Sequence, residues 1–163
     1  MYNTLLEQKE NLLKEVASLH QRHELAKTIG ADYFEPGMME YPEQSEGICD
    51  EQGREVLIRF EVMGTRYEGR TEQIEKVKIH DPVRIVRDAE NPYNSNNFVI
   101  LTGKGKDLGN MPAKLCNVIA PLYDSENLRI AAAQVSFVEP ISKRSRHAKQ
   151  AVLFVEMRME LNM

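Results

Sequence analysis

The sequence predicts a mainly β domain with α: about six short strands closed into a small barrel with one internal helix, preceded by an N-terminal amphipathic helix. Three observations predict it. Leucines in the first 29 residues recur at helical spacing. From Glu55 onward the apolar period changes to two. Turn-forming Gly, Pro and Asn clusters then cut that region into short segments, whose edges would stay exposed unless the strands closed on each other.

Residues 1–29 read as the helix. Leu5, Leu6, Leu12, Leu13, Val16, Leu19 and Leu25 form a narrow apolar stripe, Glu10 stands four residues before Lys14, and Gly30 is the stop. The stripe must cover something, either this chain's own barrel or a second copy, so a homodimer through the helix is one expectation. His20 and His23 lack a third ligand in an apolar setting and read as a solvated face. Residues 30–53 read as an acidic linker punctuated by Pro36-Gly37, Tyr41-Pro42 and Gly53. Tyr33, Phe34, Met38, Met39 and Tyr41 are too apolar for a free tether, so part of it should lie against the domain.

Residues 54–163 read as the β domain. Val56, Ile58 and Phe60 alternate with Leu57, Arg59 and Glu61 as a half-buried strand. Gly64 and Gly69 bracket a tight connection through Arg66-Tyr67, and Ile74, Val77 and Ile79 follow less regularly. Val83, Ile85 and Val86 make a second strand, broken at Asn91-Pro92-Tyr93-Asn94, where proline presets a turn. Phe98 to Leu101 starts a third, and Gly103-Lys104-Gly105-Lys106 turns it. Leu108 to Pro112 leads into a helix carrying Leu115, Val118, Ile119 and Leu122, which ends at Tyr123 to Asn127. Leu128 to Val138 is a strand with a one-residue slip between Ala132 and Val135. Ser142 to Gln150 is a basic loop, and Ala151 to Leu161 alternates again as the closing strand (Val152, Phe154, Glu156, Arg158, Glu160).

Charge is unevenly spread. The chain of 163 residues has net charge -4, yet residues 30–53 hold seven acids and no base, while residues 54–163 hold 17 basic and 14 acidic residues. A mildly basic body permits nucleic-acid binding without demanding it. No apolar run approaches a membrane span and the N-terminus is too polar for a secretory signal, so a cytoplasmic protein without a membrane partner is expected. Cys49 and Cys116, far apart and in unlike surroundings, read as free thiols.

Catalysis finds no support in the residues. The Gly103 to Lys106 run lacks the spacing of a phosphate-cradling loop, and Asp81, Asp88, Glu90 and Asp107 lack the pairing of a two-metal site, so neither cofactor nor metal is expected. Binding fares better. Single-stranded nucleic acid is held by aromatic faces and by cations or amides near phosphates. Tyr67 and Tyr93 sit in turns, with Arg66, Lys104, Lys106, Lys114 and the loop cations Lys143, Arg144, Arg146 and Lys149 available for phosphates. From the residues alone two readings of each tyrosine stay open: base stacking, or half-buried packing with a capped hydroxyl.

Three blocks carry a resemblance. Val62-Met63-Gly64-Thr65-Arg66-Tyr67, then Ile85 to Phe98 around Asn91-Pro92-Tyr93-Asn94, then Leu108-Gly109-Asn110-Met111-Pro112 resemble, in order and spacing, the HIRAN family, a small domain of helicase-like transcription factors and related repair remodellers that also occurs alone in bacteria. The resemblance covers residues 55 to 161. It implies a modified OB-like barrel and a non-catalytic module for single-stranded DNA that prefers 3′ ends, in DNA repair or replication-fork processing. It implies a terminal-nucleotide pocket built from Arg66, Tyr67, Asn91 and Tyr93, with Asn94 and Asn110 at two further pocket positions. Those two depart from the family pattern: Asn94 replaces an aspartate and Asn110 an aromatic or histidine. An amide accepts a hydrogen bond without the charge that strengthens it. The rival reading is a protein-interaction barrel acting through its N-terminal helix, its DNA pocket decayed.

Overall fold

The computed structural model describes residues 4–13, 48–49, 55–67 and 69–162. Residues 4–13 form helix α1, whose Leu5, Leu6, Leu12 and Leu13 are exposed. The rest of the expected N-terminal helix, with His20 and His23, and all of the acidic linker except Ile48–Cys49 lie outside the described residues.

The domain is mainly β with short helices. Strands β1 (Ile48–Cys49), β2 (Glu55–Glu61), β7 (Val152–Leu161) and β6 (Leu128–Glu139) pair antiparallel, in that spatial order, in one sheet. Strands β3 (Val83–Asp88), β4 (Asn97–Thr102) and β5 (Asp107–Asn110) form a second, antiparallel sheet. The strands thus fall into two sheets rather than one continuous ladder. The sheets meet at two single bridges, Met63 with Asn110 and Pro82 with Gln134.

Period two places the core as expected in β2, where Val56, Ile58 and Phe60 are buried and Glu55 is exposed. In β7 the core face is Leu153, Val155, Met157, Met159 and Leu161. Val152 and Phe154, on the face that ends in Glu156 and Arg158, are buried as well, Phe154 meeting Phe137 edge-on at 6.0 Å. The slip expected in β6 is two irregularities, between Ile130 and Ala132 and between Val135 and Phe137.

Two elements differ from the sequence reading. Arg70–Ile74, read as an irregular continuation, forms the short helix α2 and buries Ile74. Asp107–Asn110, read as a lead into the helix, is β5. A four-residue strand containing glycine has little propensity of its own, and its partners impose it. Helix α3 (Ala113–Asp124) follows Pro112, as expected, and buries Leu115, Cys116, Ile119 and Ala120. Its Tyr123 ring packs edge-on to Phe98 of β4 at 5.3 Å. Cys116 is a free, buried thiol.

Candidate nucleic-acid interface

The first turn follows β2. Gly64 has φ +72°, a conformation open to glycine, and its carbonyl accepts from Arg70 Nη1 at 3.1 Å. Thr65 is buried and its hydroxyl donates to the Ala151 carbonyl at 3.0 Å, so the turn is pinned to the start of β7. Arg70 also pairs with Asp107 of β5 at 3.1 Å. On this base stands Tyr67, 55% exposed, with the Arg66 and Arg70 guanidinium carbons 5.5 and 5.8 Å from its ring centroid. An aromatic face with cations beside it suits a base and its phosphate.

The second turn joins β3 to β4. Asn91 Oδ1 accepts from the backbone N–H of Tyr93 at 2.9 Å and of Asn94 at 3.1 Å, which fixes the turn. Asn94 Oδ1 in turn accepts from the Asn96 N–H at 3.0 Å, and Asn94 Nδ2 donates to Asn117 Oδ1 of α3 at 3.3 Å. Beneath, Arg87 grips Asp124 of α3 with two hydrogen bonds of 3.0 Å and donates to the Ser95 and Asn97 carbonyls at 2.7 and 3.1 Å. Its hydrogen bond to Arg87 holds the Asp124 carboxyl below the ordinary carboxylate range and raises the guanidinium further. At the tip, Tyr93 is 96% exposed. Half-buried packing therefore does not describe this tyrosine.

A chain of polar contacts runs between the two turns. Met63 and Asn110 exchange backbone hydrogen bonds of 2.8 and 2.9 Å. Asn110 Oδ1 accepts from Asn97 Nδ2 at 3.2 Å, and Asn97, only 6% exposed, also donates to Asp88 Oδ2 at 3.1 Å. That same carboxylate oxygen accepts from Asn91 Nδ2 at 3.1 Å. All three sequence blocks meet along this chain. Gly109 permits it: with φ +145°, a Cβ there would lie 2.5 Å from the Met63 carbonyl oxygen.

The family model described as the HIRAN domain matches residues 56–153, more than half of the 163-residue chain. The chain belongs to the HIRAN domain family. Similar solved structures include the crystal structure of the HIRAN domain of human HLTF, 22% identical with TM-score 0.48, covering 68% of this chain and 84% of that one. A crystal structure of a protein from Lactobacillus plantarum is 17% identical with TM-score 0.49, covering 65% of this chain and 98% of that one. The NMR structure of the HLTF HIRAN domain in its DNA-bound conformation is 20% identical with TM-score 0.45, over 65% and 76% of the two chains. No curated protein matches the chain.

Within this HIRAN domain the expected site residues divide. Asn91, Asn94 and Asn110 are half-buried in the hydrogen-bonded framework, whereas Arg66, Tyr67 and Tyr93 stand out from it. Lys114 is exposed in the first turn of α3, four residues after Asn110. The basic loop belongs to another neighbourhood: its Ser142 hydroxyl and N–H both bond the Glu75 carboxylate, just past α2, at 2.7 and 3.1 Å. Arg144 is spent within the loop, on Glu139 at 3.3 Å and the Gln150 carbonyl at 3.2 Å, while Lys143 and Arg146 are exposed. Sequence reasoning missed Arg70, Arg87, Asp88, Asn97 and Asn117 as supports. The signal for Arg87-Asp88 was their place at the strand end before the turn; Asn117, on a different element, offered none. Among the described residues no group of three or more His, Cys, Asp and Glu can hold a metal, and no helix is long and apolar enough to cross a membrane.

Proposed function

We propose that this HIRAN domain is a non-catalytic module that binds single-stranded DNA and prefers 3′ ends, serving DNA repair or replication-fork processing in the cytoplasm. One observation carries the proposal: Tyr93 is 96% exposed on a turn whose backbone is fixed by Asn91. A large aromatic held out in water contributes nothing to the core, while a preorganised stacking platform loses little entropy on binding. Tyr67, braced by Arg70, offers a second platform with the exposed cation of Arg66 beside its ring for a phosphate. The HLTF HIRAN domain, of the same family, has a DNA-bound conformation, which supports the same ligand class here. The two single bridges give the strands a cyclic order, which supports the OB-like barrel reading.

In this reading a terminal base stacks on Tyr93 and Arg66 meets the adjoining phosphate. Asn94 keeps one acceptor lone pair and one amide hydrogen beyond its bonds to Asn96 and Asn117, enough to meet the terminus. A second reading, a protein-interaction barrel, is favoured by the exposed Leu5, Leu6, Leu12 and Leu13 of α1, which would equally serve a homodimer. Titrating the protein with labelled duplexes bearing a 3′ overhang, a 5′ overhang or blunt ends separates the readings. The DNA reading expects tightest binding where the 3′ terminus is single-stranded. Equal binding to all three, or none, rejects the end preference, and no binding leaves the interaction barrel.

A further inference from the structure

At the far end of the β3–β4 hairpin from Tyr93, an open groove of about 590 Å³ lies between α2, the start of β3 and the β4–β5 turn. Lys76, Lys104 and Lys106 line it, against the single carboxylate of Asp81. That carboxylate is already engaged, accepting from the Lys78 N–H at 2.9 Å. Val77, Pro82 and Val83 give the groove an apolar side, and no aromatic residue lines it. The turn that carries two of the lysines is itself braced, with Lys106 N donating to the Thr102 hydroxyl at 3.0 Å. Three cations, one acid and no stacking surface suit an anionic backbone rather than bases.

The groove continues the Tyr67 turn. Helix α2 starts at Arg70, whose guanidinium lies under the Tyr67 ring, and Lys76 follows two residues after α2 ends. The Arg70–Asp107 ion pair binds that same turn to the residue next to Lys106. Along β4 and β5 the order is therefore Tyr93, the Asn97–Asn110 contact, Arg70 with Asp107, then the lysines. The five steps from Asn97 to Thr102 span about 17 Å at 3.3 Å per residue, the length of about five stacked nucleotides at 3.4 Å each.

We infer that the Lys76–Lys104–Lys106 groove is a second, sequence-independent phosphodiester site, taking the DNA strand several nucleotides inward from the end bound at Tyr93. The inference rests on the DNA-binding reading above and adds a length dependence to it. A strand of three nucleotides ends before the groove, whereas one of twelve crosses it. The lysines act by releasing condensed counterions, so their contribution is read in salt.

The test measures fluorescence anisotropy of the full chain with labelled dT3 and dT12, each with a 3′-hydroxyl, for wild type, K76Q/K104Q/K106Q and Tyr93→Ala, with thermal unfolding to confirm folding. The lysine variant should bind dT3 within about twofold of wild type. On dT12 its salt slope should be shallower by about 2 (roughly 0.7 for each of three contacts), so raising salt from 50 to 200 mM should weaken wild type about 20-fold more than the variant. An unchanged dT12 slope overturns the groove. Equal loss on dT3 and dT12 also overturns it, because the lysines would then serve the end pocket. If polyglutamate competes only with the lysine-bearing protein while dT12 ignores the lysines, an acidic protein partner replaces DNA there. If Tyr93→Ala binds both lengths like wild type while the lysine variant loses dT12, the groove stands and the end pocket fails.

Discussion

Asn97 Nδ2 donates to Asn110 Oδ1 at 3.2 Å from a side chain that is almost wholly buried, and so ties the tyrosine-bearing turn after β3 to the strand that holds the other turn. The same amide serves Asp88. Removing it leaves Asn110 Oδ1 without its side-chain donor and the Asp88 carboxylate oxygen with the Asn91 amide alone. Asn97→Ala should cost about 1–3 kcal/mol of stability, with urea unfolding as the measurement. A loss well under 1 kcal/mol would mean that water takes over both contacts.

Gly109 and Gly105 make a paired comparison. Both have positive φ, but a Cβ at Gly105 meets nothing within 4 Å, whereas one at Gly109 lies 2.5 Å from the Met63 carbonyl oxygen and 2.5 Å from Val62 Cγ1. Gly105→Ala should cost about 1–2 kcal/mol, the left-handed penalty alone. Gly109→Ala should cost more and break the Met63–Asn110 bridge, visible as faster amide exchange at Asn110. Equal unfolding free energies for the two variants would contradict this.

What was legible in the sequence was local. Val56, Ile58 and Phe60 announced a strand through their own alternation, and all three are buried. Asn91-Pro92-Tyr93-Asn94 announced a turn through chemistry confined to four residues, and the Asn91 side chain makes the turn by bonding two and three residues on. What was hidden depends on partners. Strand β5 exists because β4 and Met63 pair with it, and α2 because Ile74 finds the core. The contact of Asn94 with Asn117 joins residues 23 apart on different elements, which no spacing rule anticipates. Arg144, read as a phosphate ligand, pairs with Glu139, and a run of basic letters does not reveal which of them face home.

Stability should fall at both ends of the pH scale, for different reasons. The folded pKa of Asp124 is depressed by its hydrogen bond to Arg87, so its contribution is present above the ordinary carboxylate pKa and is lost as pH falls through the folded value. Burial pushes the Cys116 thiol from 9.0 to about 11; the unfolded chain then ionises first, and stability is lost as pH rises from about 9 toward 11. Urea midpoints across pH should show both limbs. Asp124→Asn should flatten the acid limb and Cys116→Ala the alkaline one, and an alkaline limb unchanged in Cys116→Ala would refute the thiol assignment.

Asn94 should make terminus recognition tolerant. An aspartate would repel a 3′-phosphate as a like charge, whereas the amide can donate to it. In Asn94→Asp the oxygen facing the Asn96 N–H is kept, and the donation to Asn117 is lost. We expect wild type to discriminate weakly between 3′-hydroxyl and 3′-phosphate ends, and Asn94→Asp to sharpen preference for the hydroxyl by about 1–2 kcal/mol. Wild type rejecting the phosphate as strongly as the variant would place end reading elsewhere.

The most direct test of the DNA-binding account is Tyr93→Ala. Because the side chain is 96% exposed, its loss should leave the melting temperature within error of wild type. Titrated against one labelled single-stranded oligonucleotide at one salt concentration, the variant should bind more weakly than wild type by about 1–3 kcal/mol, the value of one stacked base. A folded Tyr93→Ala that binds as tightly as wild type would contradict the account.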